Sequence, residues 1–158
     1  MANTYHQIFI HIIFAVKHRR ALIRDKWKSE LFAVIGNLIN ETGCKTIIVN
    51  GTEDHVHCLL RLKPDLSVSL VVKNAKSKSS KWVNESGILD SRFEWQAGFG
   101  AFSYSKSQLP DVIKYIQTQE EHHKKLTFLE EYVQFLKKFE VDYDERYIFK
   151  MPECFANF

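Results

Sequence analysis

The chain has 158 residues, of which 45% are hydrophobic, and a formal net charge of +3. That length suits one domain, 1–158, with a real core, and the composition excludes a disordered tail. No apolar run reaches eighteen residues, so no membrane partner is expected, and Cys44, Cys58 and Cys154 lack CxxC spacing, which argues for free thiols in the reducing cytoplasm and against a zinc ribbon.

Residues 5–16 are rich in Ile, Phe and Val and predict a buried strand. His6, Gln7 and His11 interrupt the run and no basic region precedes it, so it does not read as a signal peptide. A basic turn follows. Trp27, Leu31, Phe32, Ile35, Leu38 and Ile39 then recur at helical spacing over residues 25–42, and Gly43 ends that helix. "KTIIVN" predicts a second strand and "HVHCLLRL" a third, antiparallel to it, with Asn50-Gly51 as the hairpin signal between them. Pro64 ends the third strand, and Asp65 or Ser67 caps a helix that runs through Trp82 to near Gly87.

"FEWQAGFGAFSYS" predicts a loop leading into a fourth strand. "QLPDVIKYIQTQEEHHKK" predicts one helix of about four turns, with Pro110 tolerated in its first turn. Thr127 and Glu130 form a capping box for a last helix through Leu136. The aromatic tail from Val141 is expected to pack on the surface. This order predicts an α+β, ferredoxin-like or RRM-like antiparallel sheet with helices on one face, plus C-terminal helices. The other sheet face is expected to be open for function.

Side chains two apart on a strand share a face, so His55 and His57 point together, with Leu59 and Arg61 beyond them. Val56, Cys58, Leu60 and Leu62 point the other way, under the helices. Two imidazoles about 7 Å apart along a strand can converge on one metal ion. A polar sheet face with two ordinary histidines explains the pair equally well. Tyr115 and Gln119 are four apart and share a helix face, which sets a phenol beside an amide oxygen able to ligate a hard cation. The same spacing also suits a plain core stripe through Val112, Tyr115 and Ile116. His122 and His123 in "EEHHKK" read as a solvated helix end. Basic residues cluster in "VKHRRALIRDKWK" and "KNAKSKSSK", as contact with a polyanion requires, although solvated helix faces are the commoner fate of such runs.

"DHVHCLL", "WQAGFGAFSYSKSQ" and "VIKYIQTQEEHH", in this order and spacing, resemble the single-tyrosine HUH transposases of short insertion sequences. The similarity runs from "HIIFAVKHRR" to about Tyr132. The resemblance implies metal ligands His55, His57 and Gln119, with Mg²⁺ or Mn²⁺, and Tyr115 as nucleophile. Tyr104 is the competing tyrosine, but it lies in the strand block and lacks a matching glutamine. The resemblance also implies a 5′-phosphotyrosine intermediate with a free 3′-OH, and rejoining without ATP. No Gly-rich phosphate loop of the P-loop type is present. The DNA would be single-stranded and folded into hairpins, held by Lys17, Arg19, Arg20, Lys73, Lys76 and Lys78. A homodimer with shared active sites is implied, and the Gly98–Gly100 segment suits close backbone packing there. His11 borders the metal site if strands one and three are neighbours, as a packing residue or a support behind a ligand.

Other readings are a related replication nuclease, a domesticated tyrosine transposase, a non-catalytic RNA- or DNA-binding RRM-like module, and a plain metal-binding or scaffold protein. "GFGAFSYS" only partly resembles the aromatic run of RNA-recognition domains. A scaffold leaves Tyr115 and Gln119 without a purpose.

Overall fold

A computed structural model describes residues 3–146. Four strands, β1 (Phe9–Ala15), β2 (Lys45–Gly51), β3 (His55–Arg61) and β4 (Gly100–Tyr104), form one antiparallel sheet in the order β2-β3-β1-β4. This is the expected ferredoxin-like arrangement. Helices α1 (Asp25–Glu41) and α2 (Val68–Ser86) cover one face. Beneath them lies the main core, built from Ile12 and Phe14 of β1, Val56, Cys58 and Leu60 of β3, and Leu31, Ile35 and Val72 of the helices. The alternation read from "HVHCLL" is therefore correct: its even-numbered side chains build the core and its histidines face away.

Local chemistry sets the boundaries. Gly43 follows α1 with φ of 100°, and Gly87 ends α2 with φ of 70°, both in the left-handed region that glycine enters without strain. Ser67, and not Asp65, caps α2 by accepting a hydrogen bond from the Leu70 amide at 3.0 Å. Asn50 and Gly51 remain in β2, and the β2–β3 connection is Thr52–Asp54. Gly51 is needed for approach, because a Cβ there would lie 2.1 Å from the His55 carbonyl oxygen.

Two expectations are corrected. The helix after β4 is not continuous: α3 (Leu109–Gln117) stops at Thr118 and α4 (Gln119–His123) follows. Asn50 Nδ2 donates to the carbonyls of Ile116 and Gln117, at 2.8 and 3.3 Å, which would otherwise serve the next helical turn. The Thr118 hydroxyl donates back to the Lys114 carbonyl at 3.0 Å, a local bond that competes with helix propagation.

The second sheet face is not open either. Helix α5 (Phe128–Lys138), capped by Thr127 accepting from the Glu130 amide, covers it. Phe128, Tyr132 and Leu136 pack on Ile13, Ala15 and Phe102 in a smaller cluster of their own. Gly100 lets β4 approach α5 closely, since a Cβ there would lie 2.8 Å from the Tyr132 ring. Cys44 and Cys58 are buried free thiols, whereas Cys154 and the tail after residue 146 lie outside the described residues. Among the described residues no helix is long and apolar enough to cross a membrane.

Candidate active site

His55 and His57 stand on the sheet face that α5 covers, and both are fully buried. Their ring centroids are 5.1 Å apart. Each ring has its Nδ1 occupied from behind. His55 Nδ1 lies 2.7 Å from Asp54 Oδ1 and 3.0 Å from the Thr52 hydroxyl. His57 Nδ1 lies 2.7 Å from His11 Nε2, and His11 Nδ1 lies 3.2 Å from the Tyr104 hydroxyl. Because β1 and β3 are neighbours, Ile13 pairs with His57 and His11 with Leu59, which brings His11 beside the pair. Both Nε2 atoms are thereby aimed at one point. Groups that hold a histidine from behind in this way fix its tautomer and orientation.

Four further side chains reach that point. Gln119 Oε1 lies 3.1 Å from His55 Nε2. Glu131, from α5, places Oε1 3.0 Å from His57 Nε2 and 3.5 Å from His55 Nε2. The Tyr115 hydroxyl donates to the other Glu131 oxygen. His123 Nε2, 3.3 Å from Glu131 Oε1, is buried without a hydrogen-bond partner among the described residues. The helix break at Thr118 does not separate Tyr115 from Gln119, since both still converge on the histidines. His122 stacks on the Tyr115 ring at 4.4 Å, and Phe128 stacks on His55 at 4.1 Å. His122 and His123 are therefore part of the site, while the charged residues around them, Glu120, Glu121, Lys124 and Lys125, are exposed as a solvated helix end would be. Tyr104 points to His11 and not to this centre.

The electrostatics follow from burial and contact. Burial works against the charged form of His55, but its hydrogen bonds to Asp54 and Glu131 prevail and hold its pKa at about 9. Burial dominates at His57 and pulls it down to about 4. It also takes His11 well below the ordinary value. The Tyr115 phenol is pushed above its usual value, first by burial and then by the adjacent Glu131 charge. Glu131 stays ionised against its burial because His123, His55 and His57 surround it.

The donor set fits a divalent cation. One nitrogen of each histidine and one Glu131 oxygen lie within 4.8 Å of one another. Imidazole, carboxylate and amide oxygen together suit a small or borderline dication. Neither Glu131 nor His123 was recognised from the sequence. Glu131 sits in an ordinary amphipathic helix, and only the return of α5 over the sheet brings it in.

The basic residues divide. Arg20, Lys73 and Lys78 are exposed, and Lys17 pairs with Glu94 at 3.1 Å. Arg19 is buried, with Asp54 acting on its charge. Lys76 donates to the carbonyls of Gln96 and Gly98, at 2.8 and 2.6 Å, and burial lowers it to about 8. These two side chains tie down backbone and the groups behind the site. Arg92 and Glu94 line both the groove beside Lys73 and the groove beside Lys17 and Arg20, so the two clusters adjoin.

The family model for IS200-like transposases matches residues 4–119. The chain therefore belongs to the IS200-like transposases, enzymes that transfer DNA strands. It is 26% identical over 122 residues to the transposase of insertion sequence element IS200 from Salmonella typhimurium, covering 73% of this chain and 80% of that protein. The Salmonella typhi counterpart matches to the same extent. Among solved structures, a Deinococcus radiodurans R1 protein assigned as a transposase aligns with a TM-score of 0.59 at 19% identity, over 75% of this chain and 95% of that one. A REP-associated tyrosine transposase bound to a REP hairpin aligns with a TM-score of 0.58 at 15% identity, over 78% and 73%.

Proposed function

We propose that this transposase cuts and rejoins single-stranded DNA through Tyr115, in one catalytic unit spanning 1–158. The observation that supports this most is the meeting of Tyr115, Gln119 and the two histidines at one buried point. His55, His57 and Gln119 would hold Mg²⁺ or Mn²⁺. When bound, the ion supplies positive charge against the charge that develops on a phosphate during displacement.

The chain's own residues do the rest. Asp54 and His11 keep the two imidazoles in the ligating tautomer. Tyr115 Oη attacks the scissile phosphorus and forms a 5′-phosphotyrosine bond. The phosphorus–oxygen bond to the 3′ carbon breaks, and the leaving oxygen takes a proton to become a 3′-OH. Rejoining is the reverse: a 3′-OH attacks the phosphotyrosine and releases the phenol. Ester is exchanged for ester, so no nucleotide is consumed. His122, stacked on the Tyr115 ring, restricts the angle of attack.

Lys17, Arg20, Lys73 and Lys78 would hold the DNA backbone, with hairpins as the recognised form, by analogy with the REP-bound relative. Arg19 and Lys76 would support that surface from within. A dimer with shared sites belongs to the same reading, as does a cytoplasmic location. Tyr115 lies beside the histidines of its own chain, so sharing would carry its helix across to the partner. A non-catalytic binding module explains the basic surface but not a tyrosine held at a histidine pair.

The test is cleavage of end-labelled single strands that tile the DNA on either side of the gene, with Mg²⁺ or Mn²⁺ and with chelator. The reading expects metal-dependent cleavage that leaves a polymerase-extendable 3′ end. Binding without cleavage on every strand would favour the module instead.

A further inference from the structure

Among the described residues, Glu131 is the carboxylate at the centre of the site that lies beyond the family match, which ends at Gln119. Its carboxylate is almost wholly buried, at 1% exposure, and touches groups from three other elements. His57 Nε2 approaches at 3.0 Å, His123 Nε2 at 3.3 Å, Gln119 Nε2 at 3.4 Å and His55 Nε2 at 3.5 Å. The Tyr115 hydroxyl also donates to it. A position enclosed by imidazoles, an amide and a phenol is an anion position. In a strand-transfer reaction the anion that must meet Tyr115 and the histidine pair is the scissile phosphate.

Carboxylate and phosphate exclude each other there. They carry the same charge, and the space is filled. With α5 in place, His55, His57 and Gln119 have no exposed surface, so no phosphodiester reaches them. We propose that the Glu131 carboxylate holds the place of the scissile phosphate, and that α5 withdraws when a DNA strand enters. This rests on the function proposed above and adds its regulation.

The packing of α5 suits withdrawal. Its apolar side chains belong to a small cluster separate from the main core under α1 and α2. Lifting α5 therefore leaves the sheet and its principal layer standing, the behaviour of a locally opening unit. A cavity of about 310 Å³ beside α5 is lined by Tyr104, Val112, Tyr115, Glu131, Phe135 and Lys138. It leaves one side of the phenol approachable while the histidines remain covered. A strand can engage there first and displace Glu131 as it advances.

The test compares two chains that both carry Tyr115→Phe, so that binding is read without cleavage. One keeps Glu131 and the other carries Glu131→Gln, which preserves shape and removes charge; because a Glu131 oxygen also lies within ligating reach of the histidines, both chains are first titrated with Mn²⁺ and compared at saturation. Binding to the tiled single-stranded oligonucleotides is measured in Mn²⁺, and hydrogen exchange is followed across α5, β1 and β3. The proposal expects about tenfold tighter binding by the Gln variant. It also expects amides of α5 to lose protection when a strand binds to the Glu131 chain, while β1 and β3 keep theirs. Equal or weaker binding by the Gln variant, or α5 amides that stay protected with DNA bound, would overturn the proposal and leave the strand-transfer reading intact. Failure of both chains to hold any strand would overturn both.

Discussion

His11 Nε2 lies 2.7 Å from His57 Nδ1, and both rings are fully buried. Burial keeps both imidazoles neutral, so one must donate to the other. If His57 Nδ1 donates, its Nε2 lone pair faces the site and His11 Nδ1–H is left to donate to the Tyr104 hydroxyl. This tautomer sets two acceptors, His57 Nε2 and the ionised Glu131 Oε1, 3.0 Å apart, so it needs a cation between them or the carboxylate moved away, and His57 is then a ready ligand. His11→Ala should therefore lower Mn²⁺ affinity by about 10- to 100-fold. Calorimetric titration measures this, with circular dichroism showing that the fold is kept.

Metal binding should also be visible as stability. At Mn²⁺ about 100 times its dissociation constant, unfolding should become harder by about 2.7 kcal/mol. Urea titration with and without chelator checks the figure. His57→Ala should erase the difference, because it removes a proposed ligand from the folded state.

The seat of α5 can be tested at Gly100. A Cβ there would lie 2.8 Å from the Tyr132 ring and 2.9 Å from its hydroxyl. Gly100→Ala should cost about 1–3 kcal/mol by overpacking, read as a lower urea midpoint. Hydrogen exchange should increase first in α5, since Tyr132 belongs to that helix.

Much of the fold was legible in the sequence. Its order of elements gave the topology, since helix and strand periods alternate clearly and Gly43, Ser67 and Gly87 mark boundaries by local chemistry. The HxH pair, Tyr115 and Gln119 were legible through spacing and family resemblance. What was not legible depended on the chain returning to itself. Asn50 ends α3 from a strand 66 residues earlier, and no local signal announces that. Glu131 occupies an ordinary amphipathic helix, and its role follows only from α5 folding over the second face. Arg19 and Lys76 look like their neighbours in the basic runs, and only burial distinguishes them.

The basic surface makes a separate prediction. Lys73→Ala and Lys78→Ala should each weaken single-strand binding on every sequence. Each should also reduce the slope of log affinity against log salt by about 0.7, as expected for one lost phosphate contact. Filter binding across a salt series measures both. Lys76→Ala should instead lower thermal stability, since its ammonium joins α2 to the carbonyls of Gln96 and Gly98.

The central claim is that Tyr115 is the nucleophile, and covalent capture with mass mapping tests it most directly. Labelled single strands from the flanking DNA are incubated with the chain and Mn²⁺, and any SDS-resistant, protease-sensitive adduct is digested and sequenced. The account predicts a metal-dependent adduct on the peptide that carries Tyr115, absent in Tyr115→Phe and retained in Tyr104→Phe. An adduct on Tyr104, or one that survives Tyr115→Phe, would contradict it.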